Sequence, residues 1–305
     1  MKKIVIIILL SASPFIAQAC DICGCGVGSY YIGILPDFNK KIIGLRYRYN
    51  SLHTHIGTGG QTSYLTTKEV YRTAELWGGW TINNRVRLMA SVPYNFNEKI
   101  NQGNTTTKNG IGDISAQAYY QLVNDRHAVG NKLLVQSLWL GGGVKLPTGK
   151  YEPPAKNSAM EEVINTFQLG TGSLDFTLNG MYDIRLQDFG VNTSASYKIN
   201  TRNKEEYRYG NKFTGAAQAY YKFRVLNTTI APNAGVLYEN GQQDADGKFQ
   251  MDVSGGDILL TTMGAEITMK RISFGGSYQI VSKQHLANGY VKANNRAMVH
   301  VAFMF

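Results

Sequence analysis

The sequence predicts an all-β protein: a closed antiparallel transmembrane barrel of about twelve strands, preceded by a signal peptide and a short cysteine-containing segment. Three observations predict it. From residue 41 onward, apolar and polar residues alternate with period two rather than 3.6. The alternating segments run to about 10–15 residues, where soluble strands usually have about 5 or 6. Their polar sides carry charges that a dry core would exclude and a wet lumen accepts.

Residues 1–19 read as a secretory leader. Lys2 and Lys3 form a basic start, "IVIIILL" an apolar core too short to span a bilayer, and Ala17-Gln18-Ala19 a small-residue cleavage site. A membrane anchor is the competing reading, disfavoured because no stop-transfer pattern follows. Loss of Lys2 and Lys3 takes the 31 basic residues to 29 against 21 acidic, a balance of +8. These positives are scattered with no Lys/Arg-rich run, which argues against nucleic acid as a partner and for anionic lipid at a membrane surface. No apolar run of about 18 residues follows the leader, so helical spans are excluded. With 19 tyrosines, 33 glycines and 7 prolines, the composition favours strands and turns.

Residues 20–40 form the cysteine segment. Cys20, Cys23 and Cys25 are the three cysteines of the chain. Four readings stay open. Cys20 could carry a lipid anchor, although the Leu-like residue expected three positions before it is missing. A disulfide from Cys20 to Cys23 or Cys25 suits an oxidising compartment. Cys-x2-Cys-x-Cys also offers thiolates for Cu(I) or Zn(II), with Gly24, Gly26 and Gly28 letting a short loop wrap the ion. The fourth reading is no role. The metal site is preferred. The apolar "YYIGILPDF" that follows could enter the lumen as a hatch.

Residues 41–305 then supply twelve segments, at roughly 41–50, 69–82, 85–96, 111–124, 132–146, 165–186, 189–200, 206–223, 226–239, 257–270, 272–283 and 294–305. In the third, Val86, Leu88, Ala90, Val92, Tyr94 and Phe96 share the lipid side, opposite Arg87, Met89, Ser91 and Asn95. Aromatics towards segment ends (Tyr94, Phe96, Tyr120, Tyr182, Tyr221, Phe223, Tyr278) suit a girdle at the lipid–water boundary. Arg87, Asp113, Lys145, Asp175, Asp183, Arg185, Lys198, Lys222 and Glu266 fall on the opposite side, as candidates to line a solute path. Short connections alternate with long ones. With an even strand count, this places both termini in the periplasm of a Gram-negative bacterium and the barrel in its outer membrane. The final "RAMVHVAFMF" ends on Phe305 with apolar residues at every second position, resembling the signal read by the barrel-assembly machinery.

Three blocks carry a family resemblance: "GIGDISAQAYYQL" (110–122), "GGGVKLPTGKY" (141–151) and "LGTGSLDFTL" (169–178). In order and character they resemble the outer-membrane proteins named "MetA-pathway of phenol degradation" or simply "transporter", themselves similar to fatty-acid and toluene channels. That resemblance implies passage of aromatic or other hydrophobic compounds through the outer membrane. Read physically, Pro147 and Gly149 end a strand and turn it into a long loop. Lys145 should point inward between Val144 and Leu146, with Asp113 and Asp175 as partners for it or for Arg185. Such a cluster is more often structural than selective, and a barrel this narrow is either filled by side chains or holds a small ligand.

Catalysis is not expected. None of His53, His55, His127, His285 and His300 sits in a Ser/His pattern at strand spacing, and no G-x-S-x-G exists. His53 and His55 would share a face if the strand continued through them, but without a third ligand they read as loop residues. "GGG" at 141–143 marks a bend or a close backbone contact rather than a phosphate cradle. The expected function is a channel for a small hydrophobic or aromatic solute. A metal-handling barrel and a structural or adhesive one are the alternatives.

Overall fold

Alternation of this kind is satisfied when every strand finds two neighbours and no edge remains. In the computed structural model, which describes residues 41–57, 60–155 and 163–305, twelve strands do so. They are β1 (Ile42–Thr54), β2 (Thr67–Asn83), β3 (Val86–Asn101), β4 (Ser115–Val129), β5 (Lys132–Lys145) and β6 (Asp175–Leu186). The second half is β7 (Phe189–Ile199), β8 (Lys212–Tyr221), β9 (Thr228–Gly241), β10 (Gly256–Met269), β11 (Ile272–Leu286) and β12 (Arg296–Met304). Each pairs antiparallel with its neighbours in sequence, and β12 closes onto β1 from Ile42 opposite Met304 to Tyr49 opposite Ala297. The expected leader and the cysteine-containing segment lie outside the described residues.

The two ends of the barrel differ. Turns near residues 84–85, 130–131, 187–188, 226–227 and 270–271 are tight and share one end with the chain termini, where the Phe305 amide donates to Lys41 O at 3.0 Å. At the other end the connections are long. β3 runs past Phe96 to Asn101 and returns as Asn104–Ile111, so residues 97–110 are a protruding hairpin rather than an irregular loop. Tyr207–Arg208, Ala245–Asp246 and Phe249–Gln250 make a small separate sheet, which removes residues 206–211 from the expected barrel strand.

The expected segment 165–186 divides unequally. Its second half is β6, whereas residues 163–174 are not a strand and turn inward. Phe167 and Leu169 alternate there with Thr166 and Gln168, but all four are buried. The period-two signal was real, yet both sides of it face protein.

Elsewhere the alternation sorts outside from inside. Leu88, Val92, Tyr94 and Phe96 are exposed on the outer wall, while Arg87, Met89, Ser91 and Asn95 are buried within. Among the described residues no helix is long and apolar enough to cross a membrane, and the crossing elements are strands. The glycines of "GGG" mark close contacts. A Cβ on Gly141 would stand 2.6 Å from the ring of Tyr119, its partner on β4, and one on Gly143 would stand 2.5 Å from Gln117 Cγ.

Candidate functional site

The interior at the long-loop end is built on the β5 terminus. Val144 and Leu146 face outward, so Lys145 must face in, and it is completely buried. Its ammonium lies 2.6 Å from Asp113 Oδ2 and 2.7 Å from Asp175 Oδ2, and it also meets the Thr171 hydroxyl. Asp113 accepts from the Gly149 and Thr171 amides, both at 2.9 Å. Asp175 accepts from Ser173 Oγ at 2.8 Å and from the Thr201 amide at 3.0 Å, with Lys198 Nζ 3.8 Å away. Three of the resembling sequence blocks therefore meet at one buried knot. Buried charge is costly unless paired and hydrogen-bonded, and here each carboxylate has both kinds of partner.

That knot anchors the inward segment 163–174, which is held against the inner faces of β2 and β3. Asn95 Nδ2 donates to Leu169 O at 3.2 Å and Asn97 Nδ2 to Gln168 O at 3.1 Å. Thr166 Oγ1 donates to Glu69 Oε2 at 2.5 Å, and Asn203 Nδ2 to Thr171 O at 3.0 Å. Lumen-facing side chains thus replace the ladder partners that an unpaired backbone segment lacks. Above it, Glu152 is held by Lys108 at 2.9 Å and Lys150 at 2.5 Å, which together pull its carboxyl down to about 2.

Two apolar clusters lie inside the barrel, each covering part of the wall. At the long-loop end Leu52, Tyr71, Phe167, Leu237, Ile258 and Leu260 pack together. At the short-turn end Ile42, Trp77, Met89, Tyr119, Trp139 and Met304 do so. Along β1 the inward positions run Ile42, Gly44, Arg46, Arg48, Asn50, Leu52, so on this strand charge lies between the two clusters. Arg46 and Arg48 share Glu75 at 3.2 and 3.7 Å, and Trp77 lies beneath the Arg46 guanidinium at 5.0 Å.

The other candidates fall into separate groups. Arg87 is buried beside Gly79 near the short turns. Glu266 is buried with His300 Nε2 at 3.5 Å. Asp183 is half-buried and accepts from the Tyr220 hydroxyl at 3.1 Å. Arg185 and Lys222 do not reach the Lys145 knot. Arg185 donates to Gln187 O at 2.6 Å at the rim, and the Lys222 ammonium sits 5.3 Å from the Tyr220 ring centre. Arg46, Glu69, Glu75, Lys212, Glu239 and Arg296 belong to the interior but were not singled out from sequence. The alternation "LRYRY" at 45–49 already carried the signal for Arg46 and Arg48.

The Cu(I)/Zn(II) reading of Cys20, Cys23 and Cys25 falls outside the described residues, and among those described no three metal-ligating side chains gather. His53 and His55 do not share a strand face. β1 ends at Thr54, and His55 takes a left-handed φ of 57°.

A family model described as "Putative MetA-pathway of phenol degradation" matches residues 46–260. No curated protein matches the chain. Among solved structures, an outer membrane channel from Pseudomonas putida F1 superposes with a TM-score of 0.59 at 14% identity, covering 97% of this chain and all of that one (100%). A "monoaromatic hydrocarbon channel" (TM-score 0.44, 10% identity, 94% of this chain and 97% of that one) lies below the level at which likeness argues anything. So does a Pseudomonas aeruginosa FadL homologue (0.35, 13%, 87% and 89%).

Proposed function

The chain belongs to the MetA-pathway of phenol degradation family, and from that premise we propose that it is an outer-membrane channel for a small hydrophobic or aromatic solute. One observation carries this reading: a closed barrel whose interior holds an apolar cluster towards each end, with charged side chains beside and between them, and an inward segment that stoppers it. A water-filled porin has a polar interior and no use for such clusters. Apolar patches offer a hydrophobic solute successive resting places, and the segment 163–174 is the stopper that must shift for passage. The likeness in fold to an outer membrane channel supports the reading.

The orientation follows the usual rule for such barrels. Short turns and both termini face the periplasm, and the stoppered end faces outside. The assembly machinery takes the chain by its last strand, whose outer face presents Val299, Val301, Phe303 and Phe305. Vesicles containing the purified protein should take up phenol or toluene faster than protein-free vesicles, while a sugar of similar size gains nothing. Equal uptake of both solutes would end the hydrophobic-channel reading.

A further inference from the structure

We propose a lipid site on the outer wall: Lys68, His53 and Lys292 hold the phosphate groups of a phosphorylated glycolipid of the outer leaflet. The site rests on the orientation just given, which puts the long-loop end outside.

Strand register creates the row. His53 of β1 stands directly opposite Lys68 of β2 on one side and opposite Lys292, in the short strand Lys292–Ala293, on the other. Their chain neighbours Leu52, Thr67, Glu69 and Ala293 are buried inside, so alternation turns all three outward. Lys68 and Lys292 are exposed and His53 is half-buried between them. Directly opposed like charges destabilise a sheet unless something lies between them. Two rows away on the same face, Arg72 has its answer in Glu98 at 2.7 Å. Among the described residues, Lys68, Lys292 and the nearby Lys283 of β11 form no ion pair. Among the described residues the row lacks an anion of its own.

A recess adjoins it. β12 stops at Arg296, whereas β1 and β11 continue to Thr54 and Leu286, leaving the wall locally incomplete. The gap of about 430 Å³ is lined by Tyr49, Ser51, Gln284, Lys292, Asn294 and Asn295, among others. Asn294 Nδ2 lies 3.1 Å from Ser51 Oγ and 3.4 Å from His53 Nδ1, tying recess and row together. Polar lining on a barrel's outside is expensive against hydrocarbon, so its occupant must bring polar groups.

Height selects the ligand. On β1 the outward Ile43, Leu45 and Tyr47 are exposed and apolar. A barrel strand crosses the hydrocarbon in about 9–11 residues. Counted from Ile43, the crossing ends near Leu52, which leaves His53 at head-group level. A sugar carrying two phosphates matches a recess flanked by separated cations.

The test uses the full mature chain in detergent, with diphosphoryl lipid A as probe, monophosphoryl lipid A and inorganic phosphate as comparators, and native mass spectrometry as readout. Wild type should retain diphosphoryl lipid A through purification. The variant Lys68→Gln with Lys292→Gln should bind it at least tenfold more weakly, and Lys270→Gln at the short-turn end should not differ from wild type. The monophosphoryl form should bind more weakly than the diphosphoryl form, and inorganic phosphate alone should not displace it. Undiminished binding by the double variant, no retention by wild type, or equal binding of phosphatidylglycerol would overturn the site. An epitope inserted at Gly103 reports orientation separately. If antibody cannot reach it on intact cells, the orientation fails, whatever the lipid result.

Discussion

Lys145 shows what one residue contributes here. Substituting it by Met would leave Asp113 buried without its cation and Asp175 with Lys198 alone, 3.8 Å away. Removing one member of a buried pair costs about 3–5 kcal/mol, mostly from the charge left behind. Urea unfolding of refolded protein should show Lys145→Met shifted to lower midpoint. Adding Asp113→Asn and Asp175→Asn should recover part of the loss. The inward aim of Lys145 was legible from Val144 and Leu146 on either side. Its two carboxylate partners were also legible as candidates, because alternation places each on the inner face. Arg185 was named as a competing partner and lies elsewhere, since period two specifies a face and says nothing of height along it. Glu152 permits a pH statement. Its carboxyl is depressed to about 2 by Lys150 and Lys108, so its grip on the loop is complete above its unfolded value and is lost only as pH falls through about 2. The difference between wild type and Glu152→Gln in channel conductance should therefore be the same at pH about 5 and about 8.

At the scale of elements, the inward segment is where sequence reading and structure part. Residues 163–174 alternate as a strand does, yet their backbone is met by Asn95, Asn97 and Asn203 side chains instead of a ladder. Nothing local distinguishes a strand facing lipid from a segment facing an inner wall, and the difference lies in residues far away in sequence. The same segment suggests a measurement. Asn95→Ala with Asn97→Ala removes two of its hydrogen bonds to β3 while leaving the Lys145 knot intact. Single-channel recordings should then show more frequent or larger openings, and toluene uptake into vesicles should rise severalfold. Unchanged recordings would mean that the stopper is held by the knot without help from β3. The hairpin beyond Phe96 was missed for a simpler reason. Residues 97–110 are polar on both faces, because beyond the membrane both faces meet water.

For the molecule as a whole, the strand count and the two unlike ends were readable because short and long connections alternate regularly. The small sheet built on Tyr207–Arg208 was not, being made of pairs too short to carry periodicity. Removing residues 296–305 should abolish the compact, heat-modifiable form on gels, since β1 and β11 would each gain an open edge. A truncated chain that still migrated as a compact species would show that the barrel can reclose with eleven strands.

The seam between Ile42 and Met304 also sets the order of events during assembly. Every other barrel pairing joins strands adjacent in sequence and can form as a local hairpin, but this one waits for nearly the whole chain. Joining ends so far apart carries a closure cost of about 5 kcal/mol beyond a constant term. Until it is met, the protein is an open sheet with two sticky margins and an apolar outer face. A sheet in that state needs its margins and apolar face shielded from other chains, and the strand Arg296–Met304 must be in place before the seam can close.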